Sequence, residues 1–268
     1  MSYRRIGIVA DKSESAQEAM RALIQRYDLI KMSSAVTCKD NIKACENVDV
    51  IIALGGDGFM LHTLHHYMEM NIPFYGMNRG TVGFLMNQYR EDGLRELLEQ
   101  AGETCIHPLK MVAQCADGKT HEALAFNEVS LLRKTGQAAR IQISIDGIAH
   151  LGELVADGVL VATPAGSSAY NFSVGGPILP MKANLLALTP ISPFRPRRWR
   201  GALLPNNVHV RFDILNSQKR PVNATADFWD ANNILSVEVY QANDIRVNLL
   251  FDRGHSLEER IIREQFSS

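Results

Sequence analysis

The chain has 268 residues, of which 46% are hydrophobic, and a formal net charge of −1. The length suits one large domain or two modest ones, and the composition is that of a globular protein with a packed core. A net charge this close to zero gives no whole-molecule argument for a nucleic acid or an anionic membrane as partner.

The N-terminal segment predicts a buried strand followed by a helix. "IGIVAD" (Ile6–Asp11) is an apolar run that is too short for a signal peptide, and no stretch approaches the roughly 18 apolar residues of a membrane span. We therefore expect a cytoplasmic protein without a membrane partner. Ser15, with Glu18 three positions later, matches a capping box and predicts that a helix starts about there.

The following segments continue to alternate between strand and helix patterns. Val48–Leu54 is an unbroken apolar run rich in β-branched residues, which is typical of a strand covered on both faces. Phe59–Met70 predicts a helix, Ile72–Asn78 a strand and Glu91–Ala101 a helix. This order predicts a parallel sheet with crossover helices. We expect residues 1–103 to form an α/β nucleotide-binding domain.

The pattern changes near residue 104, and the rest of the chain predicts antiparallel strands. Asp117-Gly118 and Asp146-Gly147 are strong hairpin-turn signals between strand-like runs. Further strand-like runs are Val208–Leu215, Ile234–Gln241 and Ile245–Phe251. We expect residues 104–251 to form a mostly antiparallel β domain. An amphipathic helix at Ser256–Phe266 is expected to pack back, within residues 252–268, on the first domain.

The cysteines favour a reducing compartment. None of them belongs to a C-x-x-C pair, and their spacings fit no common zinc site. We expect free thiols rather than disulfides. The four are Cys38, Cys45, Cys105 and Cys115.

The motif Gly55-Gly56-Asp57-Gly58 follows a predicted buried strand and opens a predicted helix. Open α/β sheets bind ligands at this edge, and a helix N-terminus offers free N–H groups to a phosphate. The motif is neither G-x-G-x-x-G nor a Walker A loop. Asp57 has two interpretations: it accepts a proton or binds a ligand, or it only caps the helix.

Three histidines follow the motif on the predicted helix. His62 lies one turn after Gly58 and is a candidate to face a ligand. His62 and His66 share a helix face, but the usual third zinc ligand is missing nearby, so we do not predict zinc there. His65 and His66 are expected to pack or to lie at the surface.

Two further segments are candidates for ligand binding. Asn127 and Glu128 stand at the end of a β segment, where they are either binding or ordinary turn residues. The segment Ala156–Leu179 starts with Asp157-Gly158 and then becomes dense in Gly, Ser, Thr and Ala around Tyr170. Small and hydroxylated side chains let a flat ring or a ribose lie against the backbone.

These motifs together resemble the NAD kinase family. The resemblance rests on G-G-D-G after a strand, F-N-E some seventy residues later, and the stretch D-G-V-L-V-A-T-P-A-G-S-S-A-Y-N-F-S-V-G-G-P-I. It spans Ile6 to about Leu250. It implies phosphoryl transfer from ATP, accompanied by a divalent metal such as Mg²⁺, to the 2′-hydroxyl of the adenosine ribose of NAD, which gives NADP.

The resemblance also implies roles for individual residues. Asp57 would be the proton acceptor, and His62 would stand where the family often has a basic residue. Asn127 and Glu128 would bind NAD, with the Asn amide on the adenine edge. The other residues implied in substrate binding are Gly58, Asp157, Ala165, Ser168, Ala169, Tyr170, Asn171, Phe172 and Ser173.

Two positions depart from the family pattern. Ala165 and Ser168 stand where Thr is common; Ser keeps a hydroxyl and Ala does not. "ADFWD" (Ala226–Asp230) occupies the place of a common Asp-Gly-Gln segment, which leaves the role of Trp229 open.

The sequence also leaves alternative interpretations open. The segment Pro190–Gly201 carries four arginines around Trp199. We expect this segment to be a proline-rich surface connection rather than a nucleic-acid site. A lipid kinase of the same G-G-D-G superfamily and a non-catalytic NAD(H)-binding regulator are the alternative functions. Family members are usually oligomers, so a homotetramer, or else a dimer, is expected.

Overall fold

The structure is a computed structural model that describes residues 3–33, 48–80 and 83–253. The described residues form two compact units. One unit runs up to Ile106 and resumes at Arg246, and the other comprises His107–Ile245. The helix predicted at Ser256–Phe266, together with Cys38 and Cys45, lies outside the described residues. Cys105 and Cys115 are not in a disulfide.

The first unit is built around a seven-stranded sheet. In the order β2-β1-β3-β4-β19-β6, with β5 beside β4, all neighbours are parallel except β19 and β6. The parallel sheet predicted from the alternating pattern is thus confirmed. Its strands, numbered in chain order with all others, are β1 (Ile6–Ala10), β2 (Leu29–Lys31), β3 (Val50–Gly55), β4 (Phe74–Asn78), β5 (Asn87–Gln88), β6 (Gly102–Ile106) and β19 (Val247–Phe251).

The described residues of this unit form three α-helices. Their starts differ slightly from the predicted ones. They are α1 (Glu14–Arg26), α2 (Asp57–Tyr67), which continues into a 3-10 turn at Met68–Met70, and α3 (Leu94–Gln100). The capping box predicted at Ser15 and Glu18 is wrong, because Ser13 holds the N-cap position with extended backbone angles. The Ser13 carbonyl accepts the first helical hydrogen bond from the Gln17 N–H, which leaves Ser15 inside the helix.

Strand β3 fixes the position of the G-G-D-G motif. All six of its residues are buried, as expected for a strand covered on both faces of a parallel sheet. The strand ends at Gly55, and α2 begins at Asp57. The motif therefore occupies the carboxyl edge of the sheet, where open α/β folds bind their ligands.

One strand lies in a different sheet from the one predicted. Ile245–Phe251 was expected in the antiparallel β domain, but β19 pairs parallel with β4 and antiparallel with β6 in the sheet of the first unit. Four of its five residues are buried. A local apolar pattern specifies a strand but not its neighbours, so the error concerns the partner and not the element.

The second unit contains two antiparallel sheets of six strands each. Their orders are β11-β10-β15-β18-β7-β8 and β14-β13-β12-β9-β16-β17, so the predicted antiparallel β character is confirmed. The strands are β7 (Leu109–Cys115), β8 (Thr120–Ala125), β9 (Glu128–Arg133), β10 (Ala139–Ile145), β11 (Ile148–Ala156), β12 (Gly158–Ala162), β13 (Leu185–Ile191), β14 (Ala202–Pro205), β15 (Val210–Ile214), β16 (Val222–Ala226), β17 (Trp229–Ala231) and β18 (Ile234–Gln241).

A single apolar core joins the two antiparallel sheets. Its buried residues come from both of them, for example Met111 and Phe212 from one and Leu131 and Val159 from the other. Alternating burial along β7 and β15 matches strands with one face on a core. Both predicted hairpin turns are present: Asp117-Gly118 joins β7 to β8, and Asp146-Gly147 joins β10 to β11.

Candidate active site

Asp57 is the first residue of α2, and its carboxylate is held by backbone outside that helix. Oδ2 accepts the Phe84 N–H at 2.7 Å, and Oδ1 accepts the Leu85 N–H at 3.0 Å. Gly56 occupies the N-cap position, so the interpretation of Asp57 as a plain helix cap is wrong. Two consecutive peptide donors fix the plane of the carboxylate.

The glycines around Asp57 serve two different purposes. A Cβ at Gly56 or Gly58 would meet no atom of residues 3–33, 48–80 and 83–253 within 4 Å, so the backbone on these two sides is open toward the described part of the protein. A Cβ at Gly83 would lie only 2.3 Å from Asp57 Oδ1. Gly56 and Gly58 therefore leave room for a ligand at the start of α2, whereas Gly83 lets the chain close against the carboxylate.

The histidines of α2 differ in exposure. His62 is exposed, whereas His65 and His66 are half-buried. His66 packs edge-on against Tyr67 with 4.4 Å between ring centroids, and burial lowers the pKa of its imidazole. His62 is the most exposed of the three, and its role in facing a ligand stays a prediction.

Asn127 and Glu128 lie where β8 ends and β9 begins. The Asn127 carbonyl accepts the Thr163 N–H at 2.9 Å, which ties this junction to the end of β12. Thr163 also donates its hydroxyl to the Phe126 carbonyl at 2.6 Å. A Cβ at Gly166 would lie 2.1 Å from the Asn127 carbonyl oxygen, so only glycine permits this close packing.

The carboxyl group of Glu128 lies where its ionised form is unfavourable. Its Oε2 atom is buried and has no hydrogen-bond partner among the described residues. Burial, with the negative charge of Asp227 as the second cause, raises the pKa of Glu128 from its ordinary 4.5 to about 7. A carboxyl group in this state can take up or release a proton near neutral pH, which is a property concentrated at functional sites.

The loop after β12 is held from inside by Ser167 and Asn171. Ser167 Oγ donates to the Pro164 carbonyl and accepts the Leu179 N–H. Asn171 Nδ2 donates to the carbonyls of Ser167 and Pro177, and its Oδ1 accepts the Thr189 hydroxyl at 2.6 Å. These bonds hold the loop closed around a fully buried amide.

Asn171 therefore departs from the sequence expectation. Its side chain was expected to bind substrate, but both amide hydrogens and the carbonyl oxygen are engaged within the protein, and the residue is fully buried. The correction has a simple cause: Asn serves equally well as a ligand donor and as an internal brace, and the sequence does not distinguish the two.

The other predicted loop residues differ in what they can offer. Ala165 is buried and has no polar side-chain atom. Ser168, Ala169 and Tyr170 are half-buried, and burial, followed by the charges of Glu128 and Asp157, raises the pKa of Tyr170. Phe172 and Ser173 are exposed. Tyr170 is thus the loop residue that lies within electrostatic reach of the F-N-E junction.

Asp157 is paired rather than open. Its Oδ1 accepts the Arg133 Nε–H at 2.5 Å, and its backbone carbonyl accepts the Arg133 N–H. Both side chains remain about one-third exposed. A ligand that bonds to Asp157 would therefore share this carboxylate with Arg133, a residue that the sequence did not single out.

The two segments whose roles the sequence left open, Pro190–Gly201 and Ala226–Asp230, carry exposed side chains. Arg195 and Arg197 stack on the exposed ring of Phe194, at 5.5 Å and 5.2 Å from its centroid, while Trp199 packs against the core of the β unit. Trp229 is exposed and lies 6.3 Å from Phe228, centroid to centroid. These positions fit the predicted surface connection.

Residues 3–33, 48–80 and 83–253 contain no group of three or more His, Cys, Asp or Glu side chains that could hold a metal ion. In the same ranges, no helix has both the length and the apolar character needed to cross a membrane.

Sequence reasoning missed two features of these sites. The Phe84–Leu85 backbone, which grips Asp57, gave no signal because main-chain donors have no sequence identity. Asp227 was quoted only as part of "ADFWD". Its carboxylate accepts the Phe126 N–H at 2.7 Å and the Asn127 N–H at 3.0 Å. An acid followed by two exposed aromatics was the available, though weak, sign of a specialised turn.

Two family models match the chain. The model of the ATP-NAD kinase N-terminal domain matches residues 6–104, and that of the ATP-NAD kinase C-terminal domain matches residues 126–225. Two solved structures are similar in fold. A yeast NADH kinase complexed with NADH has a TM-score of 0.83 at 22% identity, covering 100% of this chain and 89% of that one. An Archaeoglobus fulgidus NAD kinase in complex with ATP has a TM-score of 0.76 at 20% identity, covering 97% and 98%.

Closer relatives carry the same family description. An NAD kinase of Cereibacter sphaeroides (strain ATCC 17029 / ATH 2.4.9) is 54% identical over 99% of this chain and 100% of its own length. An NAD kinase of Caulobacter vibrioides is 51% identical over 98% and 96%. These matches confirm the resemblance and decide against a lipid kinase. The chain belongs to the NAD kinase family, and the phosphorylation of NAD is its activity.

Proposed function

We propose that Asp57 accepts the proton of the 2′-hydroxyl of the adenosine ribose of NAD as the phosphoryl group of ATP is transferred to it. The observation that carries this proposal is the grip on the carboxylate by the Phe84 and Leu85 N–H groups. Phosphoryl transfer depends mainly on positioning and charge stabilisation. A carboxylate with a fixed plane is suited to align a hydroxyl and to take its proton late.

The start of α2 supplies the surroundings for the phosphates. The open sides of Gly56 and Gly58 let an anion approach the free N–H groups and the positive end of the helix dipole. Gly58 would contribute backbone contacts, and the exposed His62 would stand near the charge of the ligand. The Archaeoglobus relative holds ATP, which supports ATP as donor here.

NAD binding is assigned to residues of the second unit. Asn127 would pair its amide with the adenine edge, Glu128 would bond to the ribose, and Asp157 would accept from the substrate beside Arg133. The yeast relative holds NADH, which supports a pyridine dinucleotide as the acceptor. The remaining contacts would come from the loop after β12, from Ala165, Ser168, Ala169, Tyr170, Phe172 and Ser173.

Three further properties belong to the proposal. The described side chains form no metal cage, so Mg²⁺ would arrive with ATP and screen its phosphates. The enzyme would work in the cytoplasm. It would assemble as a homotetramer or a dimer.

The test is the steady-state kinetics of Asp57→Asn, with purified protein, NAD, Mg-ATP and a readout of NADP. The variant keeps the shape of the side chain but cannot take the proton, so we expect kcat to fall about 10²–10⁴-fold. The KM for NAD should stay within a few-fold of wild type. Near wild-type kcat in a folded Asp57→Asn protein would show that another group is the base.

A further inference from the structure

The turn between β16 and β17 contains an acid, Asp227, that bonds to the backbone of the F-N-E motif. Asp227 has a positive φ of 51°, a conformation that favours short polar side chains. Its carboxylate accepts the N–H groups of Phe126 and Asn127, at 2.7 Å and 3.0 Å. Its own N–H donates to the Glu128 carbonyl at 3.3 Å. One residue therefore bonds to the backbone of all three residues of the F-N-E motif.

Because these bonds hold the backbone of the motif, the side chains of Asn127 and Glu128 are not needed for that purpose. The Asn127 carbonyl is taken by the Thr163 N–H, and Glu128 starts β9, opposite Ala162 of β12. The backbone at Asn127 and Glu128 is therefore fixed on both sides. What remains is the Asn127 side chain and the buried, unpartnered Oε2 of Glu128.

We propose that Asp227 is a positioning residue for NAD recognition, which sets the Asn127 and Glu128 side chains through three backbone hydrogen bonds and holds a negative charge beside Glu128. This inference rests on the proposed role of Asn127 and Glu128 in binding NAD. Asp227 itself acts through these two residues and is not placed on the substrate.

Asp227 supplies one acceptor oxygen to each of the two N–H groups, and it also places a carboxylate next to the carboxyl group of Glu128, where like charges repel. Asp227 contributes to the raised pKa of Glu128. Tyr170 also interacts electrostatically with Glu128 and with Asp157, which lies just before β12. Charge at residue 227 therefore controls when Glu128 can donate a hydrogen bond to a ribose oxygen.

The experiment compares Asp227→Asn and Asp227→Glu with a control, Asp230→Asn, on the same hairpin. Asp230 is exposed, and its carboxylate accepts the Thr225 hydroxyl at 2.7 Å. The measurements are kcat and the KM values for NAD and ATP between pH 5.5 and 8.5, with thermal unfolding of each protein alongside. The Asp230→Asn control should match wild type in all of them.

Asp227→Asn should raise the KM for NAD about tenfold or more, the loss of roughly one well-formed charged hydrogen bond. Its kcat and its KM for ATP should stay within about threefold of the wild-type values, because the lost hydrogen bond acts on NAD recognition. The step that Glu128 gives to the pH profile of NAD binding should move to lower pH, because the repelling charge is gone. Asp227→Glu displaces the carboxylate but keeps the charge, so the KM should rise while the step stays near its wild-type pH.

Two results overturn the inference. One is an unchanged KM for NAD in folded Asp227→Asn and Asp227→Glu proteins. The other is an equal loss in kcat and in both KM values, in proportion to reduced stability, with the pH step unmoved. If Asp227→Asn does not fold, Asp227→Glu decides through its KM for NAD.

Asn127→Ala separates the two proposals. If this variant leaves the KM for NAD unchanged, the assignment of the NAD site is wrong. If it raises that KM while the Asp227 variants do not, only the role of Asp227 is wrong.

Discussion

An aspartate in each unit is held in the same way, with one carboxylate oxygen on each of two consecutive peptide N–H groups. In the first unit, Asp57 accepts two consecutive peptide N–H groups, from Phe84 and Leu85. In the second unit, Asp227 accepts those of Phe126 and Asn127. In both, one carboxylate oxygen bonds at 2.7 Å and the other at 3.0 Å. The same local chemistry therefore occurs at a helix start and at a hairpin turn.

The two aspartates differ in what lies around them. Asp57 stands between glycines that leave room for a ligand among the described residues, so its two backbone bonds orient the group that we propose as the proton acceptor. Asp227 stands beside the buried acid Glu128 and bonds to its backbone, so its grip fixes other residues. The comparison teaches that a paired N–H grip determines orientation, while the neighbours determine whether the acid reacts or positions.

The largest effect in this comparison is expected from closing the space against Asp57. In Gly83→Ala, the new Cβ would lie 2.3 Å from Asp57 Oδ1, and the carboxylate must move. A displacement of about 1 Å at a reacting group can cost about 10²-fold in rate, so we expect a loss of that size in kcat. The measurement is NADP formation at saturating NAD and Mg-ATP.

The matched control for this variant is Gly102→Ala in β6. Its Cβ would meet only the Phe251 carbonyl oxygen, at the ordinary contact distance of 3.8 Å, so its kcat should equal that of wild type. If Gly83→Ala also kept wild-type kcat while folded, the orientation of Asp57 would not limit the reaction, and the contrast between the two aspartates would lose its meaning.

A smaller effect is expected from the brace inside the loop of the second unit. Thr189→Val keeps the shape of the side chain but removes the hydroxyl that donates to Asn171 Oδ1. Both residues are buried, so an acceptor is left without its partner, at a cost of about 1–3 kcal/mol in the free energy of unfolding. Denaturant unfolding measures this loss.

Thr225→Val is the control for this brace, since the Thr225 hydroxyl bonds at the surface to Asp230. Exposed bonds of this kind contribute little, so its change should stay below about 0.5 kcal/mol. Equal losses in the two variants would mean that Asn171 is not the internal brace described here, and its original assignment to substrate binding would return.

The parts of the fold that follow from local patterns could be predicted from the sequence. Strand β3 is an unbroken apolar run, and Asp117-Gly118 and Asp146-Gly147 specify their turns by residue type. The partner of β19 could not be predicted, because pairing with β4 joins residues far apart in the chain. Its apolar pattern suits either sheet.

The candidate site follows the same division. The motif around Asp57 was visible because its glycines and its acid are unusual together. Its grip was not, because Asp57 and Phe84 are 27 positions apart, and Asp227 and Phe126 are 101 apart. In both pairs the donor is main chain, which any residue supplies. Sequence reveals which side chains are available, and tertiary contacts decide which way they face.

The last difference between the two aspartates is electrostatic, and pH reveals it. Glu128, next to Asp227, has a pKa raised from 4.5 to about 7, so the folded protein keeps a proton that the unfolded chain releases between these values. The free energy of unfolding should therefore fall as pH rises through this window, and the whole penalty should be present above pH 7.

Glu128→Gln removes the charge and with it the penalty. Because Glu128 is partly exposed, we expect the variant to be about 1–3 kcal/mol more stable than wild type at pH 8. Near pH 4.5 the folded wild-type side chain is also neutral, so the two proteins should differ by much less there. Chemical denaturation at pH 4.5, 6 and 8 measures the difference. A gap between variant and wild type that does not change with pH would mean that Glu128 does not titrate in this range, and that the charge of Asp227 has no role beyond that of its hydrogen bonds.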